Sequence, residues 1–274
     1  MKTDARSASA WLVAAALLSV GVALPPALQA QQSADELAQK AANPIANMIS
    51  VPFQNNTDFG LGPYDRARNV LNIQPVVPLA EGKIITRTVV PFAWLPDLTT
   101  ESESSSSGIG DIVFTAFYVP GGGETMWGLG PVVELPTGGA SRGSEKWSVG
   151  PSFVALKVNG PWTLGVLANN VWSVAGEGDR SSVNRGLLQY FIVRQIGGGW
   201  YINSAPVNTV NWEAASGEKW TVPLGGGGGK LLFLGRLPVN LQSQAYFNVV
   251  KPDMGPDWQL RFQAQVLLPT PGSG

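Results

Sequence analysis

The sequence predicts an all-β fold: an antiparallel transmembrane β-barrel of the outer-membrane kind, with about twelve strands and a short N-terminal helix. Three observations predict it. Long stretches alternate apolar and polar residues with a period of two. The connections between them alternate between short and long. Every tryptophan beyond Trp11 falls at the end of one of these stretches.

The chain of 274 residues opens with the three-part layout of an export signal. Lys2 and Arg6 supply a positive start, Trp11 to Leu24 is an apolar run broken only by Ser19 and Gly21, and Ala27-Leu28-Gln29-Ala30 offers a cleavage site before Gln31. Residues 1–30 are therefore expected to be a signal peptide. Residues 31–47 follow as a short helical segment, 48–268 as the barrel, and 269–274 as a disordered tail. Ser33-Ala34-Asp35-Glu36 has capping-box form, and Asn43-Pro44 ends the helix. No second apolar run is long enough for a membrane helix, which needs roughly 20 residues.

Composition narrows the chemistry. Cys and His are both 0, which removes thiol chemistry and the commonest general base. Familiar barrel enzymes rely on His beside Ser or Asp, so the reading is not an enzyme, with no catalytic residue, no metal and no cofactor. The net charge of −1 gives no electrostatic case for nucleic acid. The expected partners are outer-membrane lipid and lipopolysaccharide, the barrel-assembly machinery and a small-molecule solute.

The clearest strands come last. In Val239 to Val249 the residues Val239, Leu241, Ala245, Phe247 and Val249 share one face, and Asn240, Gln242, Gln244, Tyr246 and Asn248 the other. In Trp258 to Leu268 the apolar set is Trp258, Leu260, Phe262, Ala264, Val266 and Leu268, opposite Gln259, Arg261, Gln263 and Gln265. Alternation alone also fits a soluble sandwich. Length separates the two, because a tilted membrane strand needs roughly 9–11 residues against about 5–6 in globular sheets. Connections separate them again. Short turns at 80–83, 121–123, 159–161, 197–199 and 236–238 alternate with longer polar loops at 55–68, 97–110, 137–146, 176–184, 215–219 and 251–257. Short periplasmic turns alternating with long external loops mark outer-membrane barrels. The strands between them fall near 48–54, 69–79, 83–95, 111–119, 125–136, 147–158, 162–175, 186–196, 200–214, 220–235, 239–250 and 258–268.

Trp127, Trp162 and Trp200 follow short turns, and Trp94, Trp147, Trp172, Trp212, Trp220 and Trp258 sit beside long loops. Two groups at opposite strand ends form the expected aromatic girdle, since indole combines an apolar ring with an N–H that seeks water or headgroups.

Functional side chains in a barrel face the lumen. Alternation places Asn72, Gln74, Arg87, Glu134, Asn169 and Asn203 there. It also places Asn240, Gln242, Gln244, Asn248, Gln259, Arg261, Gln263 and Gln265 there. Arg194 is assigned inward too, on a strand whose two faces read alike. Amides dominate and the charges are mixed, so weak charge selectivity is expected. The same amides also suit a filled, closed interior. Gly225 to Gly229 lacks the Lys-Ser/Thr of a phosphate loop and reads as a strand patch that leaves space in the lumen. Ser102 to Ser107 reads as a flexible exposed loop, and Pro75, Pro91, Pro131, Pro206 and Pro223 as bulge markers.

Asn43-Pro44, Ile49 to Thr57, and Asn69 to Pro78 resemble a known family. So do Gly110-Asp111-Ile112, Trp127 to Pro131, Leu167 to Ser173, Asn211 to Ala214, Trp220 to Gly225, Lys251-Pro252 and Gly255 to Arg261. Over most of the chain the sequence is similar to the outer-membrane "transporter" barrels grouped with the phenol-degradation MetA-pathway proteins. That resemblance implies a membrane barrel linked to uptake of small, often aromatic or apolar, compounds, and it carries over no catalytic residue. Two functions stay open: a channel for passive permeation, and a structural or adhesive barrel with a closed lumen.

Overall fold

The computed structural model describes residues 34–101, 104–121 and 125–268; the expected signal segment and the 269–274 tail lie outside them. The described residues fold as one compact unit. A helix, α1 (Ala34–Ala41), leads into a single sheet of fifteen segments. They are β1 (Ile49–Leu61), β2 (Arg66–Ile73), β3 (Val76–Leu79), β4 (Ile84–Pro96), β5 (Ser105–Ile109), β6 (Ile112–Tyr118), β7 (Thr125–Leu135) and β8 (Lys146–Asn159). Then come β9 (Trp162–Gly176), β10 (Asn184–Gly197), β11 (Trp200–Ser204), β12 (Val207–Asn211), β13 (Trp220–Leu234), β14 (Leu237–Val250) and β15 (Trp258–Leu268).

Three pairs of segments, β2 with β3, β5 with β6, and β11 with β12, each form one strand of the wall, so the barrel has twelve strands. All neighbours are antiparallel. The sheet closes because β15 returns to β1, with Leu268 opposite Ile49 and Trp258 opposite Phe59. Closure removes the unpaired edge that a hydrocarbon environment would leave without partners.

Proline explains where strands break. Pro75 separates β2 from β3, and Pro206 separates β11 from β12, because each lacks the N–H its ladder position requires. Ladder bonds resume directly around Pro75, through Gln74 N to Pro52 O at 2.9 Å and Thr88 N to Pro75 O at 3.0 Å. Pro223 sits at a register shift against β14. Pro91 and Pro131 are paired on one side, opposite Asn72 and Pro151. On the other side Pro91 stands at the break and one-residue register shift between β5 and β6, and Pro131 falls in a gap of the β6–β7 pairing.

Two expected loops are shorter than the sequence suggests. The loop at 55–68 shrinks to a turn at 62–65, because β1 and β2 stay paired down to Leu61 opposite Arg66. The polarity of Asn55 to Asp58 reads as loop, yet both faces have uses. Asn56 and Asp58 are buried toward the lumen. On the outer face Asn55 donates to Asn69 Oδ1 at 2.9 Å, and Asn69 donates to Thr57 Oγ1 at 2.8 Å. Ser105 to Ser107 likewise belong to a strand, with Ser107 opposite Trp94. Ser106 Oγ lies 3.1 Å from Ser141 Oγ and accepts from Arg142 at 2.9 Å.

The N-terminal segment closes one end of the barrel. Leu37 and Ala38 of α1 are buried with Val193, Tyr201, Leu231 and Leu267. Asp35 accepts from Gly199 N at 2.7 Å, and Gln39 donates to Gly160 O at 3.0 Å, which ties the helix to two of the short turns. Gly198 and Gly199 hold φ of 63° and 78°, so this turn needs glycine. Beyond the helix, Ile45 is 3% exposed among inward-facing Val76, Ile85, Phe117, Val154, Leu167 and Phe191. The interior at this end is therefore an apolar core completed by a side chain from the leading segment.

Candidate functional site

The lumen changes character along its length. Near the long-loop end its charges are paired. Asp58 accepts from Arg68 at 2.6 Å, the two standing opposite each other on β1 and β2, and from Gln259 at 2.7 Å. Glu134 on β7 is ion-paired with Arg185 on β10. Asn248 donates to Pro256 O at 2.7 Å. Asp111 is buried and pins the 136–145 loop, accepting from Gly138 N at 2.9 Å, Ser144 N at 2.6 Å and Ser144 Oγ at 2.9 Å.

Outside the wall at this end, Asp97 accepts from the Thr99 hydroxyl and amide, the Thr100 hydroxyl and the Ser104 hydroxyl. Those donors, Thr99 foremost, hold its carboxyl well below the usual carboxylate range.

Mid-barrel, polar side chains hydrogen-bond across the interior. Arg261 is 5% exposed. It donates to Asn56 Oδ1 at 2.9 Å, Ala205 O at 3.0 Å, Gln259 Oε1 at 3.1 Å and Gln244 Oε1 at 3.4 Å, and its guanidinium lies 4.9 Å from the Tyr246 ring centre. Tyr201 donates to Asn240 Oδ1 at 2.9 Å, Asn203 to Gln242 Oε1 at 2.9 Å, and Asn240 to Gln265 Oε1 at 3.3 Å. Beneath Tyr201, Gly229 leaves the space its hydroxyl occupies; a Cβ there would stand 2.3 Å from that oxygen.

These hydrogen-bonded side chains border a cavity of about 140 Å³. From β14 and β15 it is lined by Asn240, Gln242, Gln244, Arg261, Gln263 and Gln265, and from the rest of the wall by Gln74, Arg87 and Asn203. Arg87 donates to Gln74 Oε1. Residues 41–44 of the leading segment lie against it, so the cavity sits directly above the segment that closes the barrel.

The remaining assigned residues lie away from this cavity. Glu134, Asn248 and Gln259 belong to the long-loop end described above. Asn72 stands opposite Gln54, and Asn169 opposite Ser152 and Leu187. Arg194 is corrected: it is exposed on the outer surface, 5.4 Å from the Trp162 ring centre, while Val193 and Gln195 turn inward. Its strand is apolar on both faces, so alternation carries no information there. Sequence reasoning passed over Gln54, Asn56, Asp58, Arg68, Gln189 and Arg185. Asn56, Asp58 and Arg68 were hidden by the overlong loop, although Pro52, Gln54, Asn56 and Asp58 do keep the period of two.

The nine tryptophans assigned to the girdle are all exposed, between 39% for Trp258 and 51% for Trp200. Trp258 stacks on Phe59 at 4.2 Å, Trp212 meets Trp220 edge-on at 5.7 Å, and Trp212 Nε1 donates to Asn170 Oδ1 at 2.8 Å. Phe53, Ile84, Phe114, Leu164, Leu241 and Phe262 are also exposed on this outer face.

A closed antiparallel barrel with an apolar outer belt and a polar interior defines the class: an outer-membrane β-barrel. Residues 67–266 match the family model described as "Putative MetA-pathway of phenol degradation", and the chain belongs to that family. The fold is similar to that of an outer membrane channel from Pseudomonas putida F1, with a TM-score of 0.57 and 16% identity, covering 81% of this chain and 94% of that one. It is also similar to the NanC porin, with a TM-score of 0.51 and 8% identity over 80% of this chain and 98% of that one. No curated protein matches the sequence.

Proposed function

We propose that this barrel is an outer-membrane channel for passive permeation of small solutes, with aromatic or apolar-bodied compounds as the class admitted. The observation that carries the reading is the mid-barrel cavity lined by amides and two arginines, inside a wall whose outer face is apolar. An interior needed only for packing is more simply apolar, because buried polar groups add nothing unless fully paired. Here Asn203 Oδ1 and Gln244 Nε2 are buried without a hydrogen-bond partner, which leaves capacity for a passing solute or water.

The lumen-facing amides are read as pore lining and the exposed tryptophans as anchors at the two membrane boundaries. Residues 1–30 are read as the export signal. The end carrying α1 and the short turns is then periplasmic, and lipopolysaccharide and the barrel-assembly machinery are the partners in the membrane. The reading is not catalytic: His is 0 in the sequence, and no Ser or Asp in the described lumen has a base of that kind beside it.

A second reading, a closed structural barrel, is favoured by one observation: Ile45 and α1 fill the short-turn end. Solute flux into liposomes separates the two. Purified protein in liposomes is expected to admit small neutral aromatics and sugars faster than empty vesicles. Equal rates for every solute would reject the channel and favour the closed barrel.

A further inference from the structure

The mixed charge of the lumen suggests little selectivity until the charges are paired off. Glu134 is taken by Arg185 and Asp58 by Arg68, both toward the long-loop end. The cavity itself is lined by Arg87 and Arg261 and by no carboxylate. Among the described residues, the acceptors of Arg261 are all neutral oxygens, and the acceptor of Arg87 is Gln74 Oε1. Asp58, the carboxylate whose field reaches Arg261, is already committed to Arg68. Two guanidiniums, Arg261 buried and Arg87 half-buried, thus line one cavity whose walls carry no carboxylate.

A buried cation without a counter-charge is costly, and a guanidinium offers five N–H donors in a geometry that matches a carboxylate. Arg87 has most of its donors uncommitted. The same cavity also has an apolar lining, with Val76 beside Arg87 on the neighbouring segment and Leu167, Phe191 and Val193 on β9 and β10. A volume of about 140 Å³ is close to that of the apolar cavities, about 150 Å³, that admit benzene. We propose that Arg87 and Arg261 form a carboxylate subsite in the lumen, which holds a small organic monoanion whose ring lies against the apolar wall. The proposal deepens the channel reading and rests on it for its role in permeation, although binding alone does not require flux.

The test uses the purified barrel in detergent, with benzoate as probe and benzyl alcohol as its neutral counterpart, followed by calorimetry. Benzoate is expected to bind about tenfold or more tightly than benzyl alcohol, from at least one charge-assisted hydrogen bond. Arg87→Gln is expected to remove most of that difference, and Arg87→Lys to keep part of it. Arg261→Gln is expected to act likewise, and heat-modifiable migration on a gel verifies that each variant is folded. Equal binding of the two probes, or an unchanged preference in a folded Arg87→Gln, would overturn the subsite. In planar bilayers under a salt gradient, the zero-current potential is expected to report anion preference that falls in Arg87→Gln. Steps that are cation-selective reject the subsite but keep the channel; benzoate binding without any steps rejects the channel but keeps the subsite.

Discussion

Truncating Ile45 to alanine should loosen the segment that closes the barrel. Ile45 is 3% exposed, and its neighbours are inward-facing side chains of the wall rather than other parts of its own segment. Removing a buried isoleucine to alanine costs about 2–5 kcal/mol. If that cost falls on docking of the segment, the undocked population rises by a factor of about thirty or more, at tenfold per 1.4 kcal/mol. The geometry makes undocking visible. Twelve strands, spaced about 4.8 Å and tilted by about 40°, give a backbone diameter of roughly 24 Å. Inward side chains reduce this to roughly 12–14 Å, and a helix with its side chains is about 10–12 Å across. The leading segment is therefore a near-complete obstruction. In single-channel recordings Ile45→Ala is expected to show brief excursions to a larger conductance, and deletion of residues 34–47 to hold that larger level. The reasoning fails if the deletion variant, verified as a folded barrel, has the same step size and noise as the intact chain.

Three further outcomes follow from individual contacts. Asp111→Ala leaves the amides of Gly138 and Ser144 without their acceptor, at about 1–3 kcal/mol for each buried donor; trypsin is expected to cut at Arg142 or Lys146 several times faster, with the barrel otherwise intact. Gly229→Val places a side chain where the Tyr201 hydroxyl sits, so the Tyr201–Asn240–Gln265 chain must break; the expected result is a melting temperature lowered by several degrees. Asp97 is held below the usual carboxylate range, so its contribution to loop order is present above about pH 4 and is lost as pH falls through the folded value. A spin label at Glu101→Cys, in a chain whose Cys count is 0, is expected to gain mobility in acid and to be mobile at neutral pH when Asp97→Asn is added.

How much of this was legible in the sequence depends on where each strand lies. β14 and β15 keep most apolar side chains outward, with amides, Tyr246 and Arg261 inward and Leu267 turned in against α1, so the period of two can be read there. β9 and β10 defeat the same reasoning. Leu167 and Phe191 turn inward onto the apolar core around Ile45, and Val193 onto α1, while Leu164, Leu188 and Ile192 turn outward. A strand that is apolar on both faces has no period to read, so alternation places Arg194 on the wrong side. The overlong loop at 55–68 has a related cause: Asn55, Thr57 and Asn69 satisfy one another on the outer surface, and that pairing is visible only once the strands are aligned. Charge pairing is the least legible layer. Glu134 and Arg185 are far apart in sequence, and nothing short of the fold reveals that Arg87 and Arg261 are left without a carboxylate.

The central claim is that the interior conducts. Planar-bilayer recording of the purified barrel tests it most directly. Discrete, uniform current steps on insertion, blocked or reduced by small aromatic solutes, are the predicted result. A bilayer that stays electrically silent, with folded protein shown to be inserted and with the 34–47 deletion equally silent, would contradict it.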